Sequence, residues 1–146
     1  MTREEILALE PGPELDRLVA ERVMGWKAWR NSVPHHWARE EQGVLVPTGW
    51  TINGETNCGP VWSPSTDIVA ALEALLHVME AHGYDVMIES VSYVETATET
   101  NGIAWMVVLD PFDRARDQVK AESSHSLPLA ICRAVLLAVM GVDNED

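Results

Sequence analysis

The sequence predicts an α/β fold of the α+β sandwich kind: a small, mainly antiparallel sheet of three or four strands with helices packed on it. Three observations carry that reading. From Ser65 onward the apolar pattern passes from helical period, through three short strand-like runs, back to helical period. A polar, turn-rich connection ending in Asn101-Gly102 folds the first of these runs back on the second. The terminal segment SSHSLPLAICRAVLLAVMG (123–141) is apolar around nearly its whole circumference, with Arg133 its only charge, so more than one side of it must be buried. An α-β-β-β-α core preceded by an N-terminal helix buries all of these faces at once.

The chain has 146 residues, 47% of them hydrophobic, which fits one domain over 1–146 with a core that needs no covalent staples. It opens on a capping box, Thr2 with Glu5, and Pro11-Gly12-Pro13 breaks the short helix that follows. A second helix spans about Glu14 to Met24, with Leu15, Leu18, Val19 and Val23 at helical spacing and Gly25 as its stop. Residues 26–64 read as a Trp-rich irregular segment with one hairpin, Val44–Val46 and Trp50–Ile52 being its strand-like runs. Its length makes it more than a connector, and five of the six tryptophans argue against disorder.

The core proper is expected over 65–141. Ser65 or Thr66 caps a helix over 66–82 that Gly83 ends. Its buried stripe is read as Ile68, Val69, Leu72, Leu75, Leu76 and Met79, with Glu73, His77 and Glu80 opposite. Val86–Glu95 is the first strand, with Met87, Val91 and Tyr93 on one face; 96–102 turns the chain back through Asn101-Gly102. Ile103–Leu109, apolar on both faces, is the central strand, and Asp117–Glu122 a short polar edge strand. Ser126 caps the last helix, 127–140, and Pro128 suits its first turn. Its outer face is left either to the Trp-rich segment or to a second copy, which makes a homodimer through 127–140 an expectation.

Net charge is −13, from 23 acidic against 10 basic residues. Such a chain repels phosphate backbones, so direct nucleic-acid binding is disfavoured; the surface suits solubility, a basic protein groove, or mimicry of a nucleic acid. The helix–three strands–helix order resembles that of double-stranded-RNA-binding domains, but the segment HSLPLAICR has acidic neighbours where those domains place phosphate-binding lysines. Cys58 and Cys132 stand in no metal or redox spacing, so neither a disulfide framework nor zinc is expected and a reducing compartment fits. The charged N-terminus does not read as a signal peptide, and no run reaches the ~18–20 apolar residues of a membrane span, so a cytoplasmic protein is expected.

No residue pattern argues for catalysis, and no cofactor is implied. Asp110, Asp113 and Asp117 in DPFDRARD are interleaved with Arg114 and Arg116, and they lack the glycine and terminal glutamate of a calcium loop. His35-His36 with Cys58 lack metal-ligand spacing, and Cys132 sits in an apolar helix as a small hydrophobe. The binding candidates are Trp26, Trp29, Arg30, His36, Trp37, Arg39 and Trp50: tryptophan stacks on bases or grips partner side chains, and the arginines, with Lys27, bring positive charge into an acidic chain. The bland alternative is that these tryptophans complete a core that has one phenylalanine.

Three segments, LDRLVAERVMGW (15–26), WSPSTDIVAALEAL (62–75) and SLPLAICRAVLLAVM (126–140), resemble the phage ABA sandwich domain family in the family's order. The resemblance implies an α/β sandwich and a bacteriophage or prophage origin, and it brings no catalytic residues. It implies a small accessory protein in the host cytoplasm that binds a host component, with defence systems among the targets. One mechanism is blocking of a basic host effector protein by the acidic surface. Another is sequestration of a small signalling nucleotide by the tryptophans with Arg30 or Arg39, and a third is a structural or regulatory role within the phage.

Overall fold

The computed structural model describes residues 1–28, 37–47, 51–52, 55–56, 62–95, 100–124 and 126–140. Helices α1 (Arg3–Leu7) and α2 (Pro13–Leu18) open the chain, and α2 continues into a π-helical turn, Val19–Val23. The capping box forms: Glu5 N–H donates to Thr2 Oγ1 at 3.2 Å and Thr2 N–H to Glu5 Oε2 at 2.8 Å. Pro13 occupies the start of α2, where its missing N–H would have no partner in any case. The wide turn closes with Met24 N–H on Val19 O at 3.1 Å, and Gly25, at φ +70°, lets Trp26 N–H reach Ala20 O at 2.9 Å.

The Trp-rich segment holds more strand than its sequence suggests. β1 (Lys27–Ala28), β2 (Trp37–Glu41) and β3 (Val44–Pro47) form a three-stranded antiparallel sheet in that order, and β4 (Thr51–Ile52) pairs with β5 (Glu55–Thr56). The run Trp-Ala-Arg-Glu-Glu reads as loop because three of its five residues are charged. It becomes a strand because Gln42 (φ +51°) and Gly43 (φ +79°) together make the two-residue left-handed turn that β-hairpins favour.

Helix α3 (Ile68–His82) is capped by Asp67, whose Oδ1 accepts Val69 N–H at 3.1 Å, so neither Ser65 nor Thr66 is the cap. Its buried face also differs from the expected stripe. Ala70, Ala71, Ala74, Leu75 and Val78 are buried, whereas Ile68, Val69, Leu72 and Leu76 are exposed and Met79 is half-buried. The helix is apolar on two faces, and the close approach of α4 selects the face of small side chains. Gly83 ends α3 in the left-handed region (φ +72°), and a Cβ there would meet Phe112 Cδ2 at 3.3 Å. Gly83→Ala is therefore expected to lower stability by about 1–2 kcal/mol, a change urea denaturation resolves; an unchanged midpoint would refute the strain.

β6 (Tyr84–Glu95), β7 (Thr100–Pro111) and β8 (Val119–Ser124) form the main sheet in the order β6-β7-β8, antiparallel throughout. The central place of Ile103–Leu109 is as the sequence predicts, and the third strand lies two residues later than expected. Asn101-Gly102 is not the turn: Asn101 pairs with Val94 and Gly102 with Tyr93, and the ladder continues to Glu95–Thr100. The long register outweighs the local turn preference of Asn-Gly.

Tyr84, Val86, Trp105, Val107, Leu109, Val119 and Ala121 give the sheet its core face. Helix α4 (Leu127–Met140) lies on β7 and β8, α3 packs against α4 and β6, and α1 with the π-helical turn closes over α4. The result is a layered sandwich of sheet, α3/α4 and N-terminal helices. Residues 129–132 and 134–137 are all buried within the one chain. Among the described residues, α1, the π-helical turn and α3 pack against α4.

Candidate partner-binding surface

Of the seven binding candidates, Trp29, Arg30, His36 and Trp50 lie outside the described residues. The other three have separate surroundings. Trp26, placed by the Gly25 turn, stands edge-on to Trp62 with ring centroids 4.7 Å apart, and Trp62 packs against the core. The Trp62 indole N–H is buried with no hydrogen-bond partner. Trp37 is 4% exposed, so its ring is interior rather than contact surface. Arg39 is exposed, and its Nε donates to Glu41 Oε1 at 2.7 Å. On the neighbouring strand Lys27 Nζ reaches Glu40 Oε2 at 2.7 Å, and that contact holds the Glu40 carboxyl below its usual range. Two of the cations that could have met an anionic ligand are thus answered by glutamates of β2.

A buried polar cluster joins two of the three motif segments. Asp16 on α2 accepts Ser65 N–H at 2.8 Å through Oδ1, and Ser65 Oγ accepts Gly12 N–H at 3.0 Å. Burial raises the Asp16 pKa, and the hydrogen bonds from Ser65 partly offset it. Burial, and then the Asp16 carboxylate, push the Cys132 thiol up, the reverse of what an activated nucleophile needs. The Asp-Ser pair therefore locks α2 to the approach of α3, and the cluster has the electrostatics of a structural tie. Among the described residues no three His, Cys, Asp or Glu side chains converge as a metal site.

The DPFDRARD turn serves α3. Arg116 Nη2 donates to His82 O at 2.7 Å and Gly83 O at 3.2 Å, and its guanidinium lies 4.7 Å over the Tyr84 ring. Asp113 Oδ1 accepts Ala115 N–H at 3.0 Å, an Asx turn. In this turn Arg116 caps the last carbonyls of α3.

Charge gathers on the sheet face that points away from the helices. Alternation places Asp85, Met87 and Glu89 of β6, Met106, Val108 and Asp110 of β7, and Lys120 and Glu122 of β8 on that face. Asp85 is paired with Asp110, and Met106 lies between Glu89 and Glu122. All four carboxylates are exposed, and among the described residues none of them is in an ion pair. Like charges directly opposite cost stability, and Asp85 with Asp110 is such a pair. At the Asp85–Asp110 end it runs into an open cleft of about 600 Å³ lined also by Phe112, Arg114 and Asp117. The Phe112 ring is 65% exposed there. Carboxylates beside an exposed aromatic face are the surroundings a lysine or arginine side chain prefers. Sequence reasoning missed this face, because only the strand register shows that these acids share a side.

No helix among the described residues is long and apolar enough to cross a membrane. No curated protein and no solved structure matches the chain. A family model, the phage ABA sandwich domain, matches residues 17–136, a span that takes in the end of α2, the π-helical turn, α3, the whole main sheet and most of α4. The layered helix-and-sheet architecture agrees with that description, and the chain belongs to the phage ABA sandwich domain family.

Proposed function

We propose that this protein is a non-catalytic phage accessory protein that binds a basic groove on a host effector protein, a component of host defence, and blocks it. The observation that carries the reading is the acidic outer face of the main sheet, where Asp85, Glu89, Asp110 and Glu122 are exposed and form no ion pair among the described residues, with the Phe112 cleft at its Asp85–Asp110 end. In a chain of charge −13 this face steers a positively charged partner and repels nucleic acid. The test is affinity capture from host lysate at low and at high salt, with wild type and with Asp85→Asn/Glu89→Gln/Asp110→Asn/Glu122→Gln. A host protein held by the wild type at low salt, released at high salt, and bound at least tenfold less by the variant is the expected result. Equal capture by both proteins would end the reading.

A second reading draws on the Trp26–Trp62 pair with its unanswered indole N–H: sequestration of a small signalling nucleotide, stacked on tryptophan. Titrating cyclic nucleotides and ADP-ribose derivatives while following tryptophan fluorescence and Tm separates the two. A saturable Tm rise abolished by Trp26→Ala would favour sequestration over blocking.

A further inference from the structure

Helix α3 keeps an apolar ridge in water. Val69, Leu72 and Leu76 follow one another at i, i+3 and i+7 and are 63%, 40% and 54% exposed, with Ile68 at 38% beside them. Ile88, on the side of the neighbouring edge strand that carries α3, is 37% exposed. Scattered exposed aliphatics are ordinary, but four on one side of a single helix form a patch. The ridge is bordered by Glu73 and Glu80, two helical turns apart and both exposed, and α3 contains no lysine or arginine.

Charge decides which occupant fits. A second copy would bring another −13 charge and another α3 without a cation, so Glu73 and Glu80 would meet no counter-charge in a two-fold contact. A helix with basic flanks answers both features at once, with its apolar side chains on the ridge and its cations on the glutamates. We propose that the exposed face of α3 docks an amphipathic helix of a partner protein, its apolar residues packing on Val69, Leu72 and Leu76 and its lysines or arginines meeting Glu73 and Glu80. This surface is separate from the acidic sheet face and stands or falls without it.

The probe is a fluorescein-labelled synthetic helix of eighteen or so residues with leucines at i, i+3 and i+7 and lysines along one flank. Controls are a scrambled peptide of the same composition and one with glutamates in place of the lysines. Anisotropy titrations use the full chain as wild type, Leu72→Gln/Leu76→Gln, Glu73→Gln/Glu80→Gln, and the sheet-face variant Asp85→Asn/Glu122→Gln. Expected are saturable binding of the basic helix alone, at least tenfold weaker for the leucine variant and about threefold weaker and less salt-sensitive for the glutamate variant. The sheet-face variant binds like wild type, so this result is read apart from that of the proposed function. An unaltered Tm for Leu72→Gln/Leu76→Gln, as for other solvent-facing substitutions, belongs to the expected result. Equal binding of the scrambled peptide, or binding untouched by the leucine variant, overturns the proposal. So does a wild-type dimer in sedimentation velocity that this variant dissolves, which assigns the ridge to a second copy. A clear fall in the variant's Tm overturns it too, since the chain would then cover the ridge itself.

Discussion

Replacing Arg133 with methionine is expected to lower stability by about 2–4 kcal/mol, the largest effect of any exchange outside the apolar core. The guanidinium is the one charge in α4, and it holds two distant pieces of the chain. Its Nε and Nη2 donate to Leu9 O at 3.3 and 2.8 Å, and its Nη1 donates to Glu122 O at 3.0 Å. Leu9 follows α1 and Glu122 belongs to the edge strand β8, so one planar fork ties the N-terminal layer and the sheet to the central helix. Burial lowers the Arg133 pKa and the Glu10 carboxylate counters that, and the group stays charged at any working pH. Methionine keeps the aliphatic stem and leaves both carbonyls without this donor. For a chain of this size the loss corresponds to a Tm fall of roughly 5–15 °C. Arg133→Lys should recover less than half of it, because one ammonium cannot span both carbonyls. A methionine variant within ~0.5 kcal/mol of wild type would show that the fork is ornamental.

The second large effect is expected at Asp16. Asp16→Ala removes the acceptor of the buried Ser65 N–H and should destabilise by about 1–3 kcal/mol, the cost of an unsatisfied buried donor. Asp16→Asn keeps an amide oxygen for that N–H and removes the buried charge, so the two variants separate hydrogen bond from charge. The sign of the pH effect follows from linkage. Burial places the folded-state pKa above the unfolded value near 3.8, so the folded protein binds this proton more tightly than the unfolded chain does. That contribution is fully present below the unfolded pKa and is lost as pH rises through the raised folded value. Measured by urea denaturation, Asp16→Asn should therefore gain on wild type between pH 4 and pH 7. A difference that stays constant over that range would mean the carboxyl titrates normally.

Both predictions rest on contacts between residues far apart in sequence, and such contacts mark the limit of what could be read beforehand. The Thr2–Glu5 box, the Gly25 and Gly83 stops, and Ser126 with Pro128 at the start of α4 were all legible, because each is an interaction within about one helical turn. The central place of β7 was legible from its two apolar faces. The face of α3 was not. Periodicity weighs leucine and valine above alanine, whereas α4 approaches closely enough to select Ala70, Ala71 and Ala74. Likewise Arg39 and Trp37 looked like partners in one site, yet burial falls off along β2 toward the hairpin turn, so Trp37 is interior while Arg39, two residues on, is exposed beside Glu41.

The sequence by itself determined the α-β-β-β-α order, the acidic charge of −13 and the motifs of the phage ABA sandwich domain family, since these depend on composition and on neighbours along the chain. Only the tertiary structure decided that α4 is wrapped by its own chain and that four exposed carboxylates share one face of the sheet. It also decided that α3 leaves its larger aliphatic side chains in water. Asp16 meets a residue 49 positions away and Arg133 one 124 positions away. No local preference encodes such pairs; they form because packing the helices on the sheet buries more apolar surface in this arrangement, and polar groups carried inside must then find whichever partner lies nearest.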